Sequence, residues 1–431
     1  MKIRLQRGLT IDAPGAPEQK IFDAPPGHSL AVVVGDELEA PPELCVEQGA
    51  RVLPGATLFR DSRCPDIRFT APVEGRVSSI HRGARRRLRS VVVASQPGGR
   101  SPSFDPFPRD ALVSLDAGDV MARLLGSGLW TAIRARPFDR IPQPERPPAA
   151  ILVTAIDTNP LACDPGTVIA ERPTDFIDGV NVLSVLTKRL CVCKSPSVTV
   201  ARDEIPGAEV FDFVGPHPAG LPGTHVAHLA RATEDRPVWY VGYQDVLAIG
   251  ELFAKGQFSN ERIVAIGGSG AARPRLLRTQ VGASLDELLA GEVASGTRVI
   301  LGSLFAGREP EPGTAYLGRY DTQLTLLEPA AGCGSPRRLS TLLSRFMGSS
   351  RAMLPLERFE RLWPMPQPVL PLLRALLIGD ADRAVELGCL DLAEEDLALV
   401  AYACPGKLDY GAALRATLSQ LGERDQRRLD G

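Results

Sequence analysis

Residues 149–195 decide the fold, because apolar runs alternate there with an amphipathic segment. AAILVTAIDTNP at 149–160 is a buried-type strand followed by a turn, DFIDGVNVLSVLTKR at 175–189 has helical spacing, and LCVCKS at 190–195 is a second apolar run. This strand, helix, strand order predicts parallel strands joined by a crossover. We therefore expect a doubly wound, Rossmann-like α/β layer. It continues through a Gly/Pro/His-rich loop at 209–229 and a further helix at 245–256.

A different pattern precedes this layer. Residues 28–93 consist of short apolar runs separated by turns, and the segments 46–52 and 71–77 each contain a turn glycine, which permits a positive φ. The pattern resembles the barrel-sandwich fold of biotinyl and lipoyl carriers. A carrier presents a lysine at the hairpin between its halves, whereas residues 60–66 read RDSRCPD. The sequence therefore argues against covalent biotin or lipoate.

Two further units follow the layer. Residues 261–291 alternate like strands and then place Glu287 three positions after Ser284, the spacing of a capping box, which favours a β-grasp (SLBB-like) unit. Gly-Gly-Ser-Gly at 267–270 lacks the lysine of a phosphate-binding loop and is interpreted as a turn. We expect a multidomain α/β chain with a barrel-sandwich domain over 1–102, a Rossmann-like domain over 103–258, a β-grasp domain over 259–330 and a helical domain over 331–431.

Composition restricts the function classes. The 431 residues carry 49 Lys+Arg and 51 Asp+Glu, a formal charge of -2, which argues against a broad nucleic-acid-binding surface. The apolar runs are shorter than a membrane span and the first residues lack an apolar signal region, so we expect a cytoplasmic protein. The eight cysteines are scattered, which suits reduced thiols. Cys191 and Cys193 share one face of a strand and are interpreted as core thiols, with a metal or redox pair as the alternative.

The order of the four units resembles the flavin- and iron–sulfur-bearing subunits of respiratory complex I and the Rnf complexes. Longer strings resemble a narrower family, the NqrA family, which is one subunit of the sodium-translocating NADH:quinone reductase. The strings that carry this resemblance are FTAPVEGRV at 69–77, SGLWTAIRARPF at 127–138, VTAIDTNPLA at 153–162, FVGPHPAGLPGTH at 213–225, AYLGRY at 315–320 and CLDLAEEDLALVAYACPGK at 389–407.

The resemblance implies a peripheral subunit on the cytoplasmic side of the cell membrane, within a complex that oxidises NADH, reduces ubiquinone and exports Na⁺. It implies that this chain binds no cofactor, while NADH, flavins and iron–sulfur clusters belong to partner subunits. It also implies that the chain binds ubiquinone and docks on the membrane subunits, chiefly the membrane-embedded B subunit. The alternative is a purely structural scaffold subunit without a ligand. Neither a catalytic residue nor a resident metal is expected in this chain, and no nucleic-acid partner.

The flavin-bearing relatives carry a Gly-rich loop where residues 127–138 stand here, because backbone amides must approach the flavin phosphate closely. Bulky and basic side chains occupy this stretch instead, so a flavin site should be filled or reshaped. The candidate quinone-binding residues are Trp130, Arg134, Arg136, Phe138 and, in the 213–225 string, His217. The arginines are candidates for hydrogen bonds to the quinone oxygens, and the aromatic rings for stacking. The alternative is that Trp130 and Phe138 are core aromatics.

The iron–sulfur relatives carry Cys-x-x-Cys-x-x-Cys-x-x-x-Cys-Pro near the C-terminus. Counting back from Cys404, the ligand positions hold Val400, Leu397 and Glu394. One thiolate does not hold a four-iron cluster. We therefore expect a helix packed by Leu397 and Val400.

Two other features have weaker implications. His217, His225 and His228 lie close together in sequence, and a loop-ordering or polar role is favoured over a metal site because no acidic or cysteine ligand has a recognised spacing to them. The basic run at 82–89, RGARRRLR, is expected to be a solvated hairpin, with contact to an acidic partner or to lipid headgroups as the alternative.

Overall fold

The computed structural model describes residues 1–35, 37–38, 40–96, 102–328, 353 and 356–429, with side chains up to residue 424. It confirms a multidomain α/β chain. Among these residues, no helix combines the length and the apolar character needed to cross a bilayer.

A six-stranded sheet forms the α/β layer. Five of its strands are parallel and the edge strand β10 is antiparallel, in the order β1-β13-β12-β11-β14-β10. The central strand β11 is a continuous apolar run, as expected for a strand covered on both faces. The strands are β1 (Lys2–Arg4), β10 (Arg134–Arg136), β11 (Ala150–Ala155), β12 (Leu190–Lys194), β13 (Ala208–Val214) and β14 (Val238–Gly242).

Helices cover both faces of this sheet. On one face α3 and α5 pack against each other, and on the other face α4 packs against the core that contains both Cys191 and Cys193. The buried thiols confirm the core interpretation of this pair. The helices of the layer are α1 (Ala117–Ser127), α2 (Pro165–Ile169), α3 (Pro173–Ser184), α4 (Pro222–Leu229) and α5 (Tyr243–Lys255).

The prediction of one loop over 209–229 was wrong, because this segment contains most of β13 and all of α4. The prolines of this segment were interpreted as loop residues, although one of them begins a helix. Pro222 occupies the first position of α4, where a proline has no hydrogen bond to lose and its fixed φ suits the helix.

The barrel-sandwich unit consists of two antiparallel sheets, β3-β9-β8-β5 and β4-β6-β7. Its two turn glycines differ: Gly49 has a φ of 88°, whereas a Cβ at Gly75 would lie 2.0 Å from the carbonyl oxygen of Ala94. The strands are β3 (Ser29–Val33), β4 (Pro42–Leu44), β5 (Arg51–Val52), β6 (Thr57–Asp61), β7 (Arg68–Thr70), β8 (Gly75–Arg82) and β9 (Leu88–Ser95).

The β-grasp unit is a mixed sheet in the order β17-β18-β15-β16-β2. Its strands are β2 (Glu18–Asp23), β15 (Glu261–Gly267), β16 (Arg275–Gln280), β17 (Arg298–Leu301) and β18 (Gln323–Leu327), and its short helix is α6 (Leu285–Leu288). The sequence-based division assigned β1 and β2 to the barrel-sandwich domain, but they pair with strands of the second and third units. The exact boundaries at 102, 258 and 330 stay predictions.

The capping box predicted for α6 is absent. Ser284 stands at the N-cap without a side-chain hydrogen bond to the helix, and the Glu287 carboxylate instead accepts a 2.8 Å bond from the backbone N–H of His28. Glu287 therefore joins the β-grasp unit to the barrel-sandwich unit.

The C-terminal unit is helical, as expected. Its core contains Leu397 and Val400, both without exposed surface, together with Tyr410 and Leu414. The helices are α7 (Glu357–Leu362), α8 (Val369–Ile378), α9 (Ala381–Glu386), α10 (Glu394–Ala403) and α11 (Tyr410–Leu429). The cysteines described along the chain are free thiols, and Cys333 lies outside the described residues.

Candidate functional site

A cavity of about 1100 Å³ lies at the carboxyl edge of the six-stranded sheet. The chain leaves β11 towards β12 on one side and later returns to β14 on the other side, so the ends of β11 and β14 flank a topological switch point. Open α/β sheets bind ligands at such a point. All four units contribute to its wall, and the α/β layer contributes Thr154, Ile156, Asp157, Asn159 and residues 242–245.

Arg134 reaches the cavity from β10. One of its terminal nitrogens donates to the Asp139 backbone oxygen at 2.6 Å and to the Asp139 carboxylate at 2.7 Å. Its guanidinium lies 4.5 Å from the centre of the Tyr320 ring, and its Nε has no hydrogen-bond partner among the described residues. Arg134 is thus held in place in the cavity wall, where 14% of its side chain remains exposed.

Arg136 lies behind the cavity, not in its wall. Its guanidinium has no exposed surface, contacts the Asp139 carboxylate, donates to Tyr240 Oη at 3.1 Å and lies 3.6 Å from the Asp396 carboxylate. Burial alone would raise the pKa of Asp139, but Arg134 and Arg136 outweigh it and lower this pKa to about 2. Arg136 is therefore part of a buried ion network.

The Arg136 network continues onto α10. Burial raises the pKa of both Glu395 and Asp396; their mutual repulsion adds to the effect at Glu395, and Arg136 opposes it at both. Glu395 also lines the cavity. The network therefore places a partly exposed carboxyl group with a raised pKa at the cavity wall.

Trp130 and Phe138 lie outside the cavity. Trp130 has no exposed surface, donates from Nε1 to the Pro142 oxygen at 2.9 Å and packs edge-on against Trp239. Phe138 is half-buried and packs against the C-terminal core. Residues 127–138 thus bring Arg134 to the cavity, and their two aromatic side chains pack behind it.

His217 is the second candidate residue in the cavity wall. Its ring stacks on Phe305, with centroids 5.0 Å apart, and its Nδ1 lies 3.3 Å from Thr158 Oγ1. Burial lowers the pKa of His217 to about 4, so the imidazole is neutral at pH 7. The flat His217 and Phe305 pair offers an aromatic surface next to the switch point.

The three histidines have separate partners. His225 donates from Nε2 to the Ala219 oxygen at 3.0 Å, and His228 contacts the Pro364 oxygen at 3.1 Å. Within the described part of the chain, no group of three potential ligands is placed to hold a metal. Their contacts are those of loop-ordering residues.

Sequence reasoning missed several cavity residues. Thr154 and Asp157 stand at the end of β11, which is the position that a switch-point argument selects in a doubly wound layer. Thr154 Oγ1 is buried without a partner among the described residues. Tyr320, by contrast, comes from the β-grasp unit, and nothing in its local sequence indicates that it lies against Arg134.

Neither cofactor site of the resembling subunits fits the residues present. The stretch that replaces the Gly-rich loop forms a tight turn at Leu129–Ala132, in which the bulky Leu129 and Trp130 have no exposed surface and no glycine is present to let a phosphate approach the backbone. At the cluster positions, Leu397 and Val400 are core residues and Glu394 pairs with Arg415. Cys404 lies 3.5 Å from Tyr410 Oη within this core.

Comparison with known proteins agrees with this architecture. Three domain models match: the NqrA N-terminal barrel-sandwich hybrid domain over residues 3–96, the NqrA second alpha/beta domain over 115–258 and the NQRA C-terminal (SLBB) domain over 263–311. A solved NAD⁺-reducing [NiFe]-hydrogenase covers 73% of this chain and 63% of its own, but at a TM-score of 0.40 and 14% identity the similarity is too low for any conclusion.

Curated relatives match almost end to end. The A subunit of the Na(+)-translocating NADH-quinone reductase of Shewanella amazonensis is 43% identical over 96% of this chain and 98% of its own. The proteins of the same name from Pseudomonas aeruginosa and Neisseria meningitidis are 43% and 41% identical, each over 97% of this chain and 99% of their own.

The fold and these relatives define the class of protein, a multidomain α/β component of an oxidoreductase complex. Within that class the chain belongs to the NqrA family, the A subunits of the Na⁺-translocating NADH-quinone reductase.

Proposed function

We propose that this chain binds ubiquinone in the cavity at the switch point, as a subunit of a complex that couples NADH oxidation and ubiquinone reduction to Na⁺ export. The observation that carries the proposal is the position of Arg134, which is fixed by Asp139 and Tyr320 and keeps part of its side chain exposed in the cavity wall. A quinone has two carbonyl acceptors on a flat ring, and its oxygens become negative on reduction. An arginine that keeps its proton suits such an acceptor.

Other cavity groups complement the remainder of a quinone headgroup. Thr154 Oγ1 is an unpartnered hydroxyl able to donate to a second carbonyl, and the His217 and Phe305 pair offers a surface for stacking. Trp130, Arg136 and Phe138 support this wall from behind. The cavity is large enough for a headgroup and the first part of an isoprenoid tail.

The proposed subunit holds no cofactor of its own. The buried turn at Leu129–Ala132 and the apolar residues at the cluster positions support this part of the proposal. Electrons then come from flavins and iron–sulfur clusters on partner subunits. The chain docks on the membrane subunits of the complex, chiefly the B subunit, from the cytoplasmic side.

The competing proposal is a scaffold subunit without a ligand. The extensive ion network between β10 and α10 favours a rigid scaffold, since it joins two units of the chain. Binding separates the two proposals. The purified chain is titrated with a short-tail ubiquinone, and a photoreactive quinone is used to label the cavity peptides with and without excess ubiquinone.

Arg134→Gln removes one charge-assisted hydrogen bond to the quinone and is expected to weaken binding about ten- to hundredfold. Thr154→Val removes the hydroxyl proposed to donate to the second carbonyl and leaves the ion network intact, so it should also weaken binding. Arg87→Gln is the control, because Arg87 is exposed on the hairpin after β8. If the chain shows no saturable binding, or if the three variants bind alike with intact folds, the scaffold proposal replaces quinone binding.

A further inference from the structure

The hairpin between β8 and β9 carries an unusual concentration of positive charge. Arg82, Arg85, Arg86 and Arg87 are exposed, and none of them forms an ion pair with a carboxylate of the described residues; we name this group the arginine tip. The tip is an ordered turn, because Arg82 donates to the Arg86 backbone oxygen at 3.1 Å and the Gly83 N–H donates to the Arg87 oxygen at 2.8 Å. Four like charges are thus held close together without compensation.

The backbone of the arginine tip has an uncommon conformation. Arg85 and Arg86 have φ values of 53° and 60°, in the left-handed region that non-glycine residues rarely adopt. A flexible, solvated hairpin would have no need of two such residues in succession. The turn thus holds exposed arginines at successive positions, which is an arrangement suited to an anionic surface.

The base of the hairpin lies on the rim of the cavity. Arg89 lines the cavity and pairs with Glu311, and Ser90 Oγ donates to the Gly313 oxygen. The acidic groups next to the base are already engaged, since Glu309 pairs with Arg298. The tip therefore adjoins the cavity rim through Arg89, and its charge is not neutralised by these neighbours.

We propose that the arginine tip binds the phosphate headgroups of an anionic bilayer. Guanidinium groups bind phosphate oxygens in a bidentate manner, and a lipid surface presents phosphates to all four arginines at once. The formal charge of the chain is -2, so only a local patch explains attraction to such a surface. The contact turns the cavity mouth towards the membrane, where a lipid-soluble ligand resides; this last step rests on the proposed quinone function.

The expected strength of this contact follows from the number of charges. Each arginine near an anionic membrane contributes roughly a fivefold gain in affinity. The attraction reaches only over a Debye length, which is about 10 Å at 0.1 M salt and shorter at higher salt. The contact is consequently reversible and salt-sensitive. It orients the chain at the membrane, while stable attachment still depends on the partner subunits.

The test is sedimentation of the full chain with quinone-free vesicles of phosphatidylcholine, with and without phosphatidylglycerol, at low and high salt. We expect binding only to the anionic vesicles and release by salt. Replacing three tip residues by glutamine, Arg85→Gln, Arg86→Gln and Arg87→Gln, should lower the affinity about a hundredfold. A matched control removes the same charge from three exposed arginines on separate elements, Arg7→Gln, Arg202→Gln and Arg374→Gln.

Retained binding of the control beside lost binding of the tip variant supports the proposal. Equal losses would mean that overall charge, not the tip, determines binding, and absence of binding by the unmodified chain would overturn the proposal directly. If vesicle binding is absent but the tip variant fails to assemble with the other subunits, the tip is a protein contact instead. Because the vesicles contain no quinone, a negative result here leaves the quinone titration unaffected.

Discussion

The Arg136 guanidinium and the Asp396 carboxylate lie 3.6 Å apart, and neither side chain has any exposed surface. Arg136 belongs to β10 at the edge of the α/β layer, and Asp396 belongs to the first turn of α10. The Asp396 carboxylate also accepts a 2.8 Å bond from the Ala393 N–H, so it orients the start of this helix. This pair therefore fixes the C-terminal unit against the layer that carries the cavity.

We expect Arg136→Ala to destabilise the chain by about 3–5 kcal/mol, because it leaves Asp396 buried without its counter-charge and leaves Asp139 with Arg134 alone. The measurement is urea unfolding followed by tryptophan fluorescence, which reports on Trp130 and Trp239 close to β10. Arg87→Ala, at an exposed position, should change the free energy of unfolding by about 0.5 kcal/mol or less. Similar midpoints for the two variants would show that the pair does not join the units.

The packing of α3 against α5 depends on two glycines. A Cβ at Gly250 would lie 1.9 Å from the Asp175 carbonyl oxygen, and one at Gly179 would lie 2.0 Å from the Val246 carbonyl oxygen. Gly250→Ala should therefore force the helices apart and cost about 1–3 kcal/mol in unfolding free energy. Gly126→Ala in α1 meets no atom within 4 Å and should stabilise by up to about 1 kcal/mol. In thermal unfolding, we expect Gly250→Ala to lower the unfolding free energy and Gly126→Ala to raise it.

The sequence predicted the elements of the fold better than their contacts. The apolar run of β11 and the spacing of α3 are local patterns, and both were found where expected. The partner of Glu287 is His28, more than two hundred residues away, so a local capping rule assigned it wrongly. Only tertiary structure reveals such a contact.

The candidate site shows the same division. The 127–138 string identified the right segment, but only some of its residues line the cavity. Arg134 lies in the cavity wall, whereas Trp130 and Arg136 are completely buried. Which side chain faces which way depends on the neighbouring strand β14 and on α10, and neither is encoded in the string itself.

We expect the purified chain to carry no chromophore, in accordance with the proposed absence of a cofactor. The residues at the cluster positions offer a single thiol, Cys404, beside the core side chains Leu397 and Val400. The measurements are visible absorbance, flavin released by acid, and iron with acid-labile sulfide, because bound flavins and iron–sulfur clusters are coloured. Stoichiometric flavin, or iron with sulfide, would contradict the proposal. A flavin-bearing partner subunit from the same cells is the positive control.

The Asp157 carboxyl lies in the cavity wall, where its ionisation is linked to the stability of the chain. Burial raises the pKa of Asp157 to about 6, although the backbone N–H and side-chain amide of Asn159 both donate to it and lower the pKa. The pKa of an aspartate in an unfolded chain is about 3.9, so the native state binds the proton more tightly. The stability that this proton contributes is complete below about pH 4 and is lost as the pH rises through about 6.

Asp157→Asn keeps an oxygen for Asn159 and removes the ionisation. At about pH 8 the variant should be more stable than the unmodified chain by at most about 3 kcal/mol, and the difference should shrink towards zero as the pH falls to about 4. Urea unfolding of both proteins across this range gives the difference directly, and groups that titrate alike in both cancel. Asp12→Asn, at an exposed position, is the control for loss of one carboxylate. A difference that stays constant with pH would show that Asp157 ionises in the native cavity as readily as in the unfolded chain.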